Sequence, residues 1–355
     1  MNRMQKQSNR YQIIGLILLL LLIIPCGTHL FANPIYNYDY HNVENEHSPA
    51  VIATGGLNVT NPFGTHTANG NPALLVYRKT ATIASSFRLF HSNNNTYDNL
   101  GMPPKKSLEW KGEYLTYLGF DTEKIGFNYH NLVNLNMDHH QISDSLDKHY
   151  YSNYYLNAYK LSIADSNQQF AMGLSISFLS GRMVYLSEQN TNTESPYQRD
   201  LFIDSRGLGY AVDLGAATSY DTINFGMKIP NVMSKVYWKD QPNKKLDRKI
   251  QLGIQWGDEQ NFVVSGLSRK FDFKSKNTYH LGIQQNIRYG VIGGIEYYVP
   301  LRVGINGKSL INIRDNTISV GTGYEISSFQ IDVSYSLIDV RKNYYSLVTA
   351  ISFTL

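Results

Sequence analysis

The sequence predicts an all-β protein, a transmembrane antiparallel β-barrel of about fourteen strands with an N-terminal plug segment. Three observations support this fold class. Apolar residues alternate with small or polar residues at a period of two. Tyr and Gly each occur 27 times among the 355 residues. Beyond the N-terminal segment, no apolar run approaches the about 20 residues that a membrane-spanning helix needs.

The N-terminal segment has the layout of a secretory signal peptide. A basic stretch without acids precedes an apolar run over 13–24, and we predict a signal peptide over 1–32. The run is too short for a membrane anchor and ends at Pro25. Pro25 also precedes Cys26, where a lipoprotein signal places a small residue. Cys26 is the only cysteine, so the chain after residue 32 has no disulfide framework.

Charge and motif content exclude several function classes. Removal of residues 1–32 lowers the number of basic residues from 32 to 29, against 28 acidic residues. The remaining chain is nearly neutral, and we therefore expect no nucleic-acid partner. There is no Gly-x-Ser-x-Gly elbow and no nucleophile beside a base, so we expect no enzymatic activity, and no cofactor is predicted.

The alternation is clearest near the C-terminus. Over 329–337 the odd positions hold Phe, Ile, Val, Tyr and Leu, whereas the even positions hold Gln, Asp and Ser. A soluble sandwich would carry Lys, Glu and Thr on its polar face. Here the polar faces are mostly Gly, Ser, Gln and Asn, which is typical of a barrel lumen with the apolar face toward lipid. The last strand keeps the pattern to Phe353 and Leu355.

The connections between strands alternate in length. The predicted strands are 80–90, 108–119, 123–132, 151–164, 168–180, 203–218, 222–230, 247–257, 260–272, 277–288, 291–305, 317–327, 329–338 and 343–355. Long gaps at 91–107, 133–150, 181–202, 231–246 and 306–316 alternate with tight turns. Such alternation is typical of a barrel of the outer membrane with both termini in the periplasm. Twelve or sixteen strands remain alternatives. We assign residues 80–355 to the barrel.

Residues 33–79 lack sustained alternation and are rich in Asn, Gly and Pro. A mobile periplasmic tail is one interpretation. However, the stretches VIATGGLNV and GNPALLVY are apolar, and a segment folded into the lumen would bury them. We therefore predict that 33–79 is a plug or periplasmic segment.

Two motifs resemble the long-chain fatty-acid transporter (FadL-like) superfamily of outer-membrane barrels, which includes the PorV-like barrels of type IX secretion. The first motif comprises Ala53, Gly55, Gly56, Asn71, Pro72, Ala73 and Leu74. The second comprises Leu301, Arg302, Gly304, Gly321, Gly323 and Tyr324. The resemblance implies an outer-membrane barrel of fourteen strands with a plug. It also implies a passive channel for hydrophobic or amphipathic small molecules, or a PorV-like accessory that binds secretion-system proteins. A closed structural barrel is a third alternative.

Six plug residues are predicted to shape the path from the plug into the wall, in a structural role. They are Gly55, Gly56, Gly70, Asn71, Pro72 and Ala73. Pro72 fixes its own φ and disfavours helical geometry at Asn71, and Gly70 permits conformations that other residues resist. No catalytic residue is predicted.

Three polar or aromatic stretches have alternative interpretations. The histidines and acids of 137–149 are read as a solvated loop in preference to a metal site, and no metal site is predicted. The tyrosines of 150–159 indicate an interfacial girdle, with a ligand platform as the alternative. The basic cluster Lys244, Lys245, Arg248 and Lys249 is either a solvated loop end or a contact to anionic lipid.

Overall fold

The computed structural model describes residues 46–61, 64, 66–91, 115–143, 146–167, 170–190, 198–271, 275, 277–292, 295–309, 316–339 and 344–355. The predicted signal peptide lies outside these ranges. Within them, no helix combines the length and the hydropathy required to cross a bilayer, a finding that does not bear on crossing by strands.

Fourteen antiparallel strands form one closed barrel, as the sequence predicted. They are β1 Thr82–His91, β2 Leu115–Asp121, β3 Ile125–Ser143, β4 Leu146–Asn167, β5 Phe170–Asn190, β6 Gln198–Tyr220, β7 Ile223–Trp238, β8 Lys249–Gly257, β9 Asn261–Lys270, β10 Thr278–Ile292, β11 Ile295–Gly307, β12 Asn316–Ile326, β13 Phe329–Asp339 and β14 Tyr344–Thr354. Each strand pairs with its sequence neighbours, and β1 closes the ring against β14 through Thr82 opposite Thr354. Because the ring is closed, no edge strand leaves backbone N–H and C=O groups without hydrogen-bond partners in lipid.

Apolar side chains cover the outside of the barrel, whereas in a soluble protein they fill the inside. On β5 the outward residues Phe170, Met172, Ile176 and Phe178 are all exposed, whereas the inward residues Ala171, Ser175, Ser177 and Leu179 are buried. The same alternation recurs around the ring. Five alternate outward positions, 170–178, cover the band of about 25 Å that a barrel presents to lipid.

The tight turns lie at one end of the barrel, together with residue 82 of β1 and residue 354 of β14. They connect β2 to β3, β4 to β5, β6 to β7, β8 to β9, β10 to β11 and β12 to β13, each over two or three residues. The opposite end carries the other connections, most of which are longer, and is called the hairpin end. In outer-membrane barrels the short turns are periplasmic and the longer connections are extracellular, so the hairpin end faces outward from the cell.

Two of the predicted long loops are wrong, because strands occupy most of them. β3 and β4 remain paired from Ile125 opposite Ile163 to Ser143 opposite Leu146. β5 and β6 remain paired to Gln189 opposite Gln198. The stretches read as loops at 133–150 and 181–202 are therefore largely strand. Polar strands beyond the membrane lack the apolar alternation on which the sequence-based boundaries depended.

β7 departs from regular geometry at Pro230 and Asn231. The register against β6 shifts between Val212 opposite Met233 and Leu214 opposite Ile229, and Asn231 has φ 57°. Beyond this bulge the pairing partner of β7 is no longer β8. Instead, the chain after β7 folds back, so that Lys244 bridges to Val236 and Leu246 donates its N–H to Ser234 Oγ at 3.0 Å.

The described residues of 46–79 lie inside the lumen. They contain a short α-helix, α1 (Pro49–Ala53), and a 3₁₀ helix over Pro72–Tyr77. Helix α1 packs against β11–β14, and the 3₁₀ helix packs against β3–β6. The two helices therefore contact nearly opposite sides of the ring.

Candidate functional site: the plugged lumen

Gly55 and Gly56 end helix α1 in a Schellman motif. The Gly56 N–H donates to Val51 O at 2.8 Å and the Gly55 N–H donates to Ile52 O at 3.2 Å. Both glycines have positive φ, 90° and 75°, a region that side-chain-bearing residues resist. The freed Gly55 carbonyl accepts from His280 Nδ1 at 2.7 Å and from Asn306 Nδ2 at 3.1 Å. The motif thereby fixes the plug to β10 and β11.

Asn71, Pro72 and Ala73 start the 3₁₀ helix against the opposite wall. Asn71 is the N-cap, and its Oδ1 accepts from the Ala73 N–H at 3.1 Å. Its Nδ2 donates to Val59 O at 3.0 Å and to Ala216 O at 2.9 Å. Ala73 packs against Ala171 and Ala217. One side chain thus caps the helix and ties two plug segments to β6.

Gly70 lies in the turn before this helix. Its N–H donates to Thr67 O at 3.1 Å, and a side chain there would overlap that of Asn58. The six predicted plug residues therefore form two groups. Gly55 and Gly56 contact one side of the ring, and Gly70 to Ala73 contact the other.

Wall glycines let the plug backbone touch the barrel. A Cβ at any of nine inward positions would overlap or crowd a plug atom. The nine are Gly126, Gly173, Gly215, Gly226, Gly253, Gly266, Gly282, Gly304 and Gly321. At Gly226, for example, it would overlap the carbonyl oxygen of Val59. Sequence analysis recognised the small polar face but missed this function. Glycine at inward positions of successive strands was the available signal.

Buried polar contacts hold the turn-side part of the plug. His66 Nε2 lies 2.6 Å from Ser86 Oγ, and the His66 ring packs on Tyr117. The Ala68 N–H donates to Asp121 Oδ2 at 3.0 Å. Arg78 donates to Thr67 Oγ1 at 3.1 Å and also bonds Thr82 at the start of β1. Burial, aided by the nearby Arg78, lowers the pKa of His66 to about 3, so this imidazole is neutral.

A cavity of about 340 Å³ lies between the plug and the hairpin end. Its lining combines plug residues with inward residues of most strands. The wall contributes four cations, the carboxylate of Asp213 and several serines, and the plug contributes Glu46. The four cations are Arg88, Lys160, Lys228 and Lys249. The lining is therefore polar and charged, with a few apolar contributions such as Leu132 and Leu246.

Asp213 is the centre of the charged network in this cavity. Its Oδ2 lies 2.8 Å from Lys160 Nζ and 3.8 Å from Lys228 Nζ. Its Oδ1 accepts from the Asn231 N–H of the β7 bulge at 2.9 Å. Lys228 also donates to Asn69 O of the plug at 2.9 Å. The network thus joins β4, β6, β7 and the plug. On the opposite side, Arg302 pairs with Asp332 at 2.6 Å.

Glu46 brings a second carboxyl to the cavity from the plug. Burial raises the pKa of Glu46, while backbone N–H groups and Lys228 act in the opposite direction. Its Oε1 accepts from the N–H groups of His47 and Ser48 at 3.0 and 3.1 Å.

The histidine, tyrosine and basic stretches of the sequence analysis each contain residues with different surroundings in the structure. His139 and His140 lie in the paired β3–β4 hairpin, which replaces the predicted loop. Tyr155 and Tyr159 face outward, but Tyr154 faces inward, 5.8 Å from Trp238. The basic cluster is divided in the same way. Lys249 lines the cavity, Lys244 bridges to Val236, and only Lys245 is fully exposed.

The fold and the plugged lumen define a transmembrane β-barrel with a plug inside its lumen. Residues 152–346, more than half of the chain, match the family described as type IX secretion system membrane protein PorP/SprF. The chain therefore belongs to the PorP/SprF family, and it is an outer-membrane protein. The resemblance predicted from the plug and late-strand motifs is confirmed.

Solved structures share the fold at low sequence identity. The Pseudomonas putida toluene transporter TodX has a TM-score of 0.57 at 10% identity, covering 88% of this chain and 99% of that chain. The Ralstonia pickettii toluene transporter TbuX has a TM-score of 0.57 at 13% identity, covering 88% and 100%. The monoaromatic hydrocarbon channel CymD has a TM-score of 0.53 at 13% identity, covering 87% and 97%. A search of curated proteins found no match.

Proposed function

We propose that this barrel is a membrane component of a type IX secretion system that binds a protein partner at its hairpin end. The observation that carries the proposal is the set of strands β3–β6, which continue in paired form beyond the lipid-facing band. Family membership supports the same role, because the family is described by its secretion system.

The length of the extension follows from β5. Ser180 and Arg182 interrupt the run of apolar outward residues after Phe178, and Arg182 is bound by Asp204 of β6 through two contacts at 2.8 and 2.7 Å. Such an exposed pair marks the end of the lipid-facing band. The strand then continues from Arg182 to Asn190, which is roughly 25 Å at about 3.3 Å per residue. Strands β8, β9, β12, β13 and β14 have 9 to 11 residues each and lack such an extension.

The extension is a ready surface for a protein. It is a four-stranded sheet joined to a closed barrel, so its geometry is fixed before binding. Its outward face carries Phe202, exposed and under the guanidinium of Arg199, and the exposed Tyr155. Aromatic and Arg side chains are the residue types that dominate protein–protein interfaces.

The lumen supports this role over transport of hydrophobic compounds. The cavity beside the plug is lined by four cations, two acids and several serines. A hydrophobic ligand would leave those groups without water, at a cost of about 1–3 kcal/mol for each group that loses its hydrogen bonds.

A passive channel for hydrophobic or amphipathic small molecules is the second candidate function. Its support is the fold shared with three proteins described as toluene transporters or a hydrocarbon channel, together with the cavity of about 340 Å³. In this role the plug would have to shift to open a path through the lumen.

Purification from the native outer membrane in mild detergent, followed by mass spectrometry, separates the two roles. The test variant shortens the β3–β4 hairpin by joining Met137 to Ser152, which are directly paired. The control shortens the β11–β12 connection over 308–315. We expect a stoichiometric protein partner with the wild type and the control, and its loss from the test variant. A stoichiometric hydrophobic compound, retained by both variants in place of a protein, would contradict the proposal and support the channel.

A further inference from the structure

Four basic side chains gather on the outward face of β5–β7, where the lipid-facing band ends. We call Arg182, Arg206, Lys235 and Lys239 the basic patch. Arg182 and Arg206 are directly opposite each other across β5 and β6. The Lys239 N–H donates to Arg206 O at 3.0 Å, which places Lys239 beside Arg206.

The patch holds more positive than negative charge. Asp204 binds Arg182 in a bidentate pair and lies close enough to Arg206 and Lys239 for their charges to act on it. Asp240 is the other acid nearby. Four cations thus face two carboxylates. Like charges directly opposite on a sheet destabilise it. A further anion beside Arg182 and Arg206 would offset their repulsion.

An apolar surface lies directly beneath the patch. Leu208, two residues from Arg206 on the same face, is 55% exposed. It pairs with Tyr237 of β7, and the next outward pair is Tyr210 with Lys235. Lys235 therefore starts within the band, and its ammonium group lies over the Tyr237 ring, 4.6 Å from the centroid. A lysine at a membrane surface commonly lies this way, with its aliphatic stem along the apolar band and its ammonium group directed toward the membrane–water interface.

The far side of the ring differs. At the hairpin end of β10–β14 the outward positions are occupied by apolar or aromatic residues. They are Tyr279, Ile305, Ile318, Leu337 and Tyr345. Tyr279 is on the same face of β10 as the exposed Leu281. The others face outward because successive strands pair Leu281 with Ile305, Ile305 with Ile318, Ile318 with Leu337 and Leu337 with Tyr345. The basic patch therefore has no counterpart at these outward positions of β10–β14.

We propose that the basic patch binds the phosphorylated headgroup of an anionic lipid in the outer leaflet. The arrangement matches the two parts of such a lipid. Arg206, Lys239 and the raised ammonium of Lys235 face the phosphate, and Leu208, Tyr210 and Met233 contact the acyl chains. Arginine suits phosphate because its planar donors can bind two oxygens. This inference does not depend on the proposed secretion role.

Native mass spectrometry on the delipidated full chain tests the site. Lipid A, as the phosphorylated probe, and phosphatidylcholine, as the neutral one, are titrated separately onto the wild type. The test variant is Arg206→Gln/Lys235→Gln/Lys239→Gln. The control, Lys245→Gln/Arg248→Gln/Arg269→Gln, removes three cations from the β8–β9 side of the same end. We expect the wild type to prefer lipid A, and affinity to fall about fivefold for each patch cation removed, with the control close to the wild type.

Three outcomes would overturn the proposal. One is equal affinity of the wild type for both lipids. Another is an equal loss in the test and control variants, which would indicate a diffuse effect of net charge. The third is unchanged lipid A binding by the test variant together with loss of a co-purified protein, which would assign the patch to an acidic partner. If the triple variant fails to fold, the single variants Arg206→Gln and Arg206→Lys replace it. The glutamine variant should lose about fivefold in affinity for lipid A, and the lysine variant should stay close to the wild type.

Discussion

The same four strands, β3–β6, have two environments along their length. Between the tight turns and the row of Arg182 and Asp204, they face lipid outside and the plug or the cavity inside. Beyond that row they face solvent on the outside. In the first part, Gly173 touches the plug and Lys160 pairs with the buried Asp213. In the second part, the pair of Arg182 and Asp204 is exposed. The difference teaches that packing constrains both faces of these strands near the plug, whereas solvent leaves the outward face of the extension free of that constraint.

The largest expected effect comes from breaking the buried network. Asp213→Ala leaves Lys160 and Lys228 without their carboxylate, in a place where both partners of the pair are nearly inaccessible. Removal of one member of a buried pair costs about 3–5 kcal/mol. We expect a fall of that size in the free energy of unfolding, measured by urea titration in detergent or vesicles. The control, Asp165→Ala, removes the exposed partner of Lys124 and should leave the free energy of unfolding close to that of the wild type. Equal effects of the two variants would contradict the comparison.

A wall glycine gives the next largest effect. Gly226→Val would overlap the plug backbone at Val59, and overpacking costs about 1–3 kcal/mol. Because the wall is fixed by its strand pairing, we expect the plug to yield. The result should be faster protease cleavage within 57–60 and greater ion conductance in a planar bilayer. Gly290→Val is the matched control, because nothing lies within 4 Å of a Cβ there. A plug equally resistant in both variants would show that the glycine contact does not position it.

Acidification is expected to loosen the turn-side contacts of the plug. Burial holds the pKa of His66 at about 3, below its ordinary value of 6.5. A released plug therefore binds a proton that the docked plug excludes. Docking is strongest above pH 6.5 and weakens as the pH falls from there toward 3. Between pH 6.5 and 5 the loss is at most about 2 kcal/mol, at about 1.4 kcal/mol per unit.

Hydrogen exchange of the plug amides, followed as a function of pH, measures this effect. His66→Gln should flatten the pH dependence. Burial also holds the pKa of His47 well below its ordinary value, so a smaller dependence should remain. If the His66→Gln variant keeps the pH dependence of the wild type, protonation of His66 is not its cause.

The smallest effect is expected in the extension. Arg182→Gln breaks a pair whose side chains are 41% and 37% exposed, and solvent screening makes the contribution of such a pair to stability small. We expect the midpoint of urea unfolding to stay close to that of the wild type. A loss comparable to that of Asp213→Ala would mean that the extension, like the wall near the plug, is part of the cooperative core.

The sequence-based prediction succeeded where the period of two was strong. All fourteen strands were found, and the boundaries near the tight turns are close, because lipid imposes apolar residues on every second position. The Gly55–Gly56 and Asn71–Ala73 motifs were predicted to have a structural role, since each carries a local signal in backbone geometry. The prediction failed at the far ends of β3–β6, because polar strands outside the membrane have no such alternation. The basic cluster at 244–249 was read as a loop end or a lipid contact, whereas Lys249 lines the cavity and Lys244 bridges to Val236.

The sequence by itself determined the strand period, the barrel class and the presence of a segment that needs burial. The reason is that these depend on neighbours along the chain and on the solvent that each face meets. Only the tertiary structure decided what each inward residue touches. Ring closure brings Gly304 against Gly55 and sets Asn71 beside Ala216. It also gathers Lys160, Asp213 and Lys228 from three strands into one network. Those partners are far apart in sequence, and their meeting depends on register and closure, which no local pattern encodes.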